Sequence, residues 1–243
     1  MSLAVGRNTI SFAERQGLKF LQDFWAVDKR QRPVRISHND IFTKETSLIA
    51  SDAQGKELGA YELQFFPNER TMKAPLLQVE EGQQGRHIGQ LLTLSGLLEF
   101  WGNRWNNFKL FSLKDTMGFH AKMGFVLDSD NPDYILHGLK SVIKSKASYI
   151  DDIKNSANIY YQRVKNYPKS KEENPFVLDF ACKVITEYMS YIMRTGQKKH
   201  LPRFLFGSNF KFTDWEFLTQ RNYLNKLLKD HNIDFRFINH ENR

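Results

Sequence analysis

The chain has 243 residues, 41% of them hydrophobic and 14% aromatic, with a mean hydropathy of −0.53 and a formal net charge of +8. That is enough apolar surface for one large domain or two modest ones, and it excludes a chain disordered throughout. No apolar run approaches the roughly 20 residues that cross a bilayer, no amino-terminal stretch has signal-peptide character, and a single cysteine, Cys182, cannot form an intrachain disulfide, so the expectation is a soluble protein of a reducing, cytoplasmic compartment, without a membrane partner.

In chain order, Phe12, Leu18, Leu21 and Trp25 stand among polar residues as in an early helix, and a polar stretch from Asp28 to Asp40 follows. Residues 46–51 read as a strand, 52–55 as a turn and 58–65 as its hairpin partner. Leu76 to Val79 reads as a short buried strand. A glycine-containing loop from Glu80 to Gly89 then leads into an apolar helix over 88–101. Residues 108–113 alternate like a strand, a short helix runs to Met123, and 124–127 is a further strand. Phe65, Phe66, Phe100 and Trp101 are expected in the core.

From Leu139 onward the pattern turns helical. A long polar helix over 148–167 is ended by Pro168, and residues 169–173 are a charged connector. Asn174 and Pro175 suit a helix start, and that helix can stop at Gly196. Thr213 to Glu216 matches a capping box, and Ile233 to Ile238 reads as a last short strand. We place a domain boundary near residue 140. Residues 1–140 carry 17 Lys and Arg against 16 Asp and Glu, a net of +1, whereas residues 141–243 carry 18 against 11, a net of +7. The asymmetry suggests two units with different partners, and a basic solvated surface is the plainer reading of the second.

The stretch that carries chemistry is Val79-Glu-Glu-Gly-Gln-Gln-Gly-Arg-His-Ile-Gly-Gln-Leu-Leu92. A strand enters a loop with glycines at 82, 85 and 89 and leaves it as a helix. The unpaired N–H groups of such a loop and first helical turn point one way, and the helix dipole adds partial positive charge. This suits a phosphate or diphosphate, and it equally suits a tight connection with no ligand. It is neither the nucleoside-triphosphatase loop, since no Gly-Lys-Ser/Thr follows, nor the dinucleotide fingerprint, whose glycine spacing differs. No Cys/His cluster has metal-ligand spacing, so no metal is expected.

Here the sequence resembles a known family. Gln84-Gly85-Arg86-His87-Ile88-Gly89 is similar to motif A of the GCN5-related N-acetyltransferases, Gln/Arg-x-x-Gly-x-Gly/Ala, and Val79 fits the end of that family's central strand. Downstream, Phe119-His120-Ala121-Lys122-Met123-Gly124-Phe125 resembles its Phe-Tyr-x-x-x-Gly-Phe signature, with an apolar helix and a strand between the two motifs. The resemblance spans about residues 10–135. His87 stands where the pattern has a glycine, His120 where it has a tyrosine, and Leu113 where an asparagine is frequent.

The resemblance implies an α/β fold, a mixed, splayed sheet flanked by helices, over residues 1–140; it does not reach residues 141–243, which the helical pattern and the charge mark as a basic, mainly α-helical domain. It implies that the amides of Gln84, Gly85, Arg86, His87, Ile88, Gly89 and Gln90 hold the diphosphate of acetyl-CoA. Backbone groups near Leu77 and Val79 pair with the pantetheine arm, and the thioester lies between strands 76–79 and 108–113. An amine attacks the thioester directly, with His120 as acid for the departing thiolate and Glu80 as base; Glu81 and Glu62 are further candidate bases. The basic region favours an acidic amine-bearing acceptor, a protein or an anionic small molecule. Two rivals remain: an acyl-CoA sensor or interaction module that never turns over, and a nucleic-acid binder whose Tyr160, Tyr161, Arg163 and Lys165 interleave aromatics with cations.

Overall fold

A computed structural model describes residues 12–15, 17–39, 44–170, 176–204 and 206–235. In order these form strands β1 (Phe12–Arg15), β2 (Leu18–Leu21), β3 (Phe24–Val27), β4 (Pro33–Asn39), β5 (Glu45–Ser51), β6 (Glu57–Phe66) and β7 (Thr71–Val79), then helix α1 (Ile88–Gly102) and β8 (Asn107–Ser112). There follow α2 (Met117–Lys122), β9 (Val126–Asp128), α3 (Pro132–Ile143), α4 (Asp151–Ser170), α5 (Val177–Arg194), β10 (Ser208–Thr213) and α6 (Asp214–Asp230). The fold class is α/β, as the sequence suggests. The chain divides into two compact units, one from the described parts of 1–109 and 213–243, the other from 110–212.

In the first unit, β3 to β7 form a meander in which each strand pairs antiparallel with the next, and β1 and β2 make a separate hairpin. The meander follows from period 2: Val34 and Ile36 in β4, Thr46, Leu48 and Ala50 in β5, and Tyr61, Leu63 and Phe65 in β6 are buried while their neighbours are not. α1 is apolar on nearly every side and is buried from Gln90 to Trp101, as a helix with no polar face must be. It lies against β2, β5, β6 and β7. Gly96 permits this, because a Cβ there would stand 2.8 Å from Tyr61 Cε1. α6 closes onto the same helix, Phe217 stacking on Trp101 with ring centroids 4.2 Å apart.

The expected early helix over 12–25 is replaced by β1, β2 and β3. Gly17, at φ +81°, sits in the link between β1 and β2, and the burial of Phe20, Leu21, Phe24 and Ala26 follows sheet pairing rather than a helical stripe. The polar stretch expected over 28–40 contains β4. Its polar residues hide a strand because one turns inward: His38 Nε2 lies 2.8 Å from Glu99 Oε1, an oxygen that also accepts the Leu21 N–H at 2.8 Å. Burial pushes the Glu99 carboxyl above its ordinary range, and the His38 and Leu21 bonds oppose that shift only in part.

In the second unit β10 pairs antiparallel with β9, a strand the sequence reading passes over. Lys211 pins this pair to α5: its Nζ donates to Asp179 Oδ1 at 2.8 Å and meets Asp128 Oδ1 at 3.1 Å. Burial pulls the ammonium down, but the two carboxylates outweigh it and push it up to about 12. A boundary near 140 would fall inside α3. Residues 141–243 do not form one helical unit, since α6 belongs with residues 1–109. α4 continues past Pro168 to Ser170. The cap expected at Asn174–Pro175 and the part of the last expected strand beyond 235 lie outside the described residues. Ile233 itself closes α6: Asn232 N–H donates to Lys229 O at 3.0 Å and Ile233 N–H to Leu228 O at 2.9 Å. With Asn232 at φ +53°, this is a Schellman cap with Asn in the left-handed position.

Candidate functional site: the loop between strand seven and helix one

The approach to the loop is shaped by one extra residue. Gln64 pairs with Lys73 and Glu62 with Leu76, so Ala74 and Pro75 of β7 oppose Leu63 alone. Pro75 has no N–H to give a ladder, and a bulge is where a sheet accepts it. A bulge also bends the strand that carries it. Beyond it Glu80 N–H donates to Leu58 O at 3.0 Å. Backbone groups alternate along an antiparallel strand, so Gln78 and Leu76 also face β6, and Leu77 and Val79 turn their N–H and C=O to the other edge of β7.

The loop itself is two consecutive turns. Gln83 N–H donates to Glu80 O at 3.0 Å and Arg86 N–H to Gln83 O at 3.4 Å. Gly82 and Gly85, both at φ +77°, occupy the third position of each. That position demands a left-handed residue in a type II turn. His87 caps α1 at φ +68° without a side-chain cap bond. Leu91 N–H donates to His87 O at 3.0 Å. The N–H groups of Ile88, Gly89 and Gln90 precede it and, like those opening any helix, find no intrahelical acceptor.

Two side chains to which the sequence reading gives no role in the site hold this loop. Asp28, fully buried, accepts Arg86 Nε at 2.7 Å, Arg30 N–H at 2.7 Å and Arg32 N–H at 3.0 Å. Burial alone would raise the Asp28 carboxyl, but the donors from Arg32, Arg86 and Arg30 outweigh it and hold it below the usual range. Arg86 also donates to Gln83 Oε1, and its carbonyl accepts Lys29 N–H at 3.1 Å. Its guanidinium therefore faces inward and is not on offer to an anion. The second is His231, at the end of α6. Nδ1 lies 2.6 Å from Val27 O and Nε2 lies 2.8 Å from Gln90 Nε2. A carbonyl can only accept, so Nδ1 carries the proton and Nε2 accepts from the Gln90 amide. Burial pushes His231 down, more than the Val27 bond and the Asp230 and Asp28 carboxylates push it up, which keeps it neutral. Neither partner has a local signal: Asp28 and His231 stand 58 and 141 residues from the groups they hold.

Of the other expected residues, Gln84 and Gly85 are exposed, and Leu77, Val79, Glu80, His87 and Gly89 are partly exposed on the same strand and loop; Ile88 and Gln90 are buried. Glu81 and Glu62 are exposed. His120 belongs to the second unit, in the last turn of α2, and is 6% exposed. Its ring meets Phe119 and Phe125 edge-on and lies 6.2 Å from the Phe210 ring, and Nδ1 has no hydrogen-bond partner among the described residues. Burial pushes it down to about 4, so it is neutral at pH 7. Among the described residues there is no group of His, Cys, Asp or Glu placed to hold a metal, and no helix is long and apolar enough to cross a membrane.

No family model and no curated protein sequence matches this chain. Solved structures similar to it include GCN5 from Tetrahymena, 16% identical over 37% of this chain and 56% of that one, with a TM-score of 0.34. Nourseothricin acetyltransferase is 12% identical over 50% of this chain and 70% of that one, at 0.33. The PaiA N-acetyltransferase of Thermoplasma acidophilum, solved in complex with coenzyme A, is 18% identical over 36% and 55%, at 0.33. This chain thus spans little more than half the length of two of these three.

Proposed function

We propose that the chain is an acyl-CoA-dependent N-acyltransferase that uses acetyl-CoA. The observation that carries this reading is the loop 80–87: two glycine turns deliver the chain to a helix start whose N–H groups lack intrahelical acceptors, directly after a strand edge formed by Leu77 and Val79. The backbone amides from Gln84 to Gln90 hold the diphosphate, where helix-terminus charge favours an anion. Leu77 and Val79 pair with the amide-bearing pantetheine arm as with an added strand. Arg86, whose own N–H closes the turn on Gln83 O in the unliganded loop, positions that loop through Asp28.

In the reaction the amine nitrogen attacks the thioester carbonyl carbon, a C–N bond forms and the C–S bond breaks. The amine's proton leaves through Glu80 and water, and the departing sulfur ends as a free thiol. Assignment of His120 to the thiolate rests on the resemblance alone, and His120→Phe tests it: turnover should drop about 100-fold with CoA binding kept, the usual scale for a lost general acid. The neutral state of His120 favours one second reading, a module that binds acyl-CoA without turnover. The +7 of residues 141–243 supports an acidic acceptor over a polyamine.

Thermal unfolding with acetyl-CoA, CoA and ATP at matched ionic strength is the test. A ligand at 100 times its dissociation constant adds about 2.7 kcal/mol if only the folded state binds it. Stabilisation by acetyl-CoA and CoA but not by ATP is expected, followed by release of free thiol when amines are supplied. No stabilisation by either thioester or thiol overturns the reading, and stabilisation without thiol release across an amine panel selects the sensor.

A further inference from the structure

Resting on that reading, we infer that His231 is a positioning residue for the anion-binding turn, a brace supplied by the last helix. The loop is gripped at two points from adjacent residues, Val27 at the end of β3 and Asp28 just beyond it. Asp28 holds Arg86, the residue before the α1 cap, and Val27 holds His231, which in turn holds Gln90 in the first turn of α1. Val27 N–H also donates to His231 O at 3.0 Å, so residue 231 is fastened by both backbone and ring. The Schellman cap at Leu228 to Ile233 fixes the direction in which the imidazole leaves α6. His87, the left-handed cap between the two grips, sets its ring edge-on to His231 at 6.0 Å.

The chemistry of the brace is directional. With Nδ1–H committed to a carbonyl, Nε2 can receive the Gln90 amide only while it is unprotonated. A proton on Nε2 sets two donors against each other, and the Gln90 amide must turn or let go. The groups facing the ring are the Asp28 carboxylate with its Arg86 partner, Asp230 on its own helix, and the second imidazole, His87. The carboxylates favour the proton and the buried setting opposes it. A proton on Nε2, gained only below the ordinary histidine range, therefore loosens the turn that offers the amides of Ile88, Gly89 and Gln90 to the CoA diphosphate, for a reason that lies in the protein and not in the ligand's phosphates.

The test is calorimetric titration with CoA from pH 7.5 to 5.5 for wild type, His231→Phe, Gln90→Met and the double variant, with hydrogen exchange of the unliganded proteins beside it. Losing one such bond should weaken CoA binding about five- to tenfold. The double variant should bind no more weakly than either single one, since residues of one network do not add. Once the pH falls below the depressed range of His231, wild type should lose affinity more steeply than His231→Phe. Exchange at Leu91 and Lys29, whose N–H groups donate to His87 and Arg86, should quicken about tenfold in His231→Phe, on the same hydrogen-bond scale. Gln90→Met gives the answer should His231→Phe not fold. Additive effects overturn the brace as a device for the ligand; unchanged exchange overturns it whatever binds. Wild type that binds no CoA, with exchange quickened in the variants, overturns the functional reading instead.

Discussion

His231 and His120 are both buried and both held below the ordinary histidine range, yet they sit in opposite kinds of surroundings. Each ring nitrogen of His231 has a partner, one donating and one accepting, so burial costs it little hydrogen bonding. His120 lies among Phe119, Phe125 and Phe210 with Nδ1 unsatisfied among the described residues, a cost of about 1–3 kcal/mol when the group is neutral. A depressed imidazole is thus no mark of an acid by itself. In the first unit it belongs to a network that holds a backbone in place; in the second it is a polar group kept against its own solvation. Buried groups kept at such a cost are candidates for function, which is why the second is worth testing for chemistry and the first for geometry.

The largest way to break the contrast is Asp28→Ala. It strands the Arg86 guanidinium, which is nearly as buried as its partner. Removing one member of a buried pair costs about 3–5 kcal/mol, to be read from urea unfolding, with CoA binding lost in whatever remains folded. A cost under about 1 kcal/mol, the scale of an exposed pair, would mean that the Arg86 grip does not hold the loop.

The next test sets the two histidines against each other by pH. Unfolded, an imidazole gains its proton near 6.5; folded, His120 does so only near 4. Between those values the unfolded chain alone is protonated, so stability falls as pH falls, by about 2 kcal/mol at pH 5 for one such group. His120→Phe should remove that share of the acid loss and leave the rest, to which His231 contributes in the same direction. Unfolding free energies at pH 7 and pH 5 for wild type and variant measure it; an unchanged difference would mean that His120 is not the buried neutral ring described above.

Gly85→Ala tests the loop alone. A Cβ there meets open space, so the cost is conformational, about 1–2 kcal/mol for a left-handed residue. Its CoA affinity should fall while the pH profile stays that of wild type, which separates loop shape from the brace.

How much of this was legible in the sequence follows from how local each feature is. The β5–β6 hairpin, α1 and the Thr213–Glu216 capping box are written in short-range period and cap chemistry, and all are present. The glycines of the loop were visible too, because a turn's left-handed position is a demand on one residue. β4 was hidden, since its inward His38 finds its partner in Glu99, 61 residues away. β10 was hidden because six residues ahead of a strong helix start look like its lead-in. Asp28 and His231 read as ordinary polar residues; what makes them parts of the site is chain folded from both ends onto α1, and no spacing rule encodes that.

The smallest expected effect is the most discriminating for the motif. His87 holds φ +68°, which an L side chain pays about 1 kcal/mol to adopt, and it stands where the acetyltransferase pattern has glycine. His87→Gly should therefore gain up to about 1 kcal/mol in urea unfolding, less whatever the ring's edge contact with His231 contributes. If the imidazole only fills the place of a glycine, the variant binds CoA as well as wild type or better, because the turn keeps its shape and loses a side chain. If the imidazole touches the ligand, affinity falls although stability rises. The two signs cannot both come from backbone strain, so measuring stability and CoA affinity on the same variant decides whether His87 is an occupant of the loop or one of its ligand contacts.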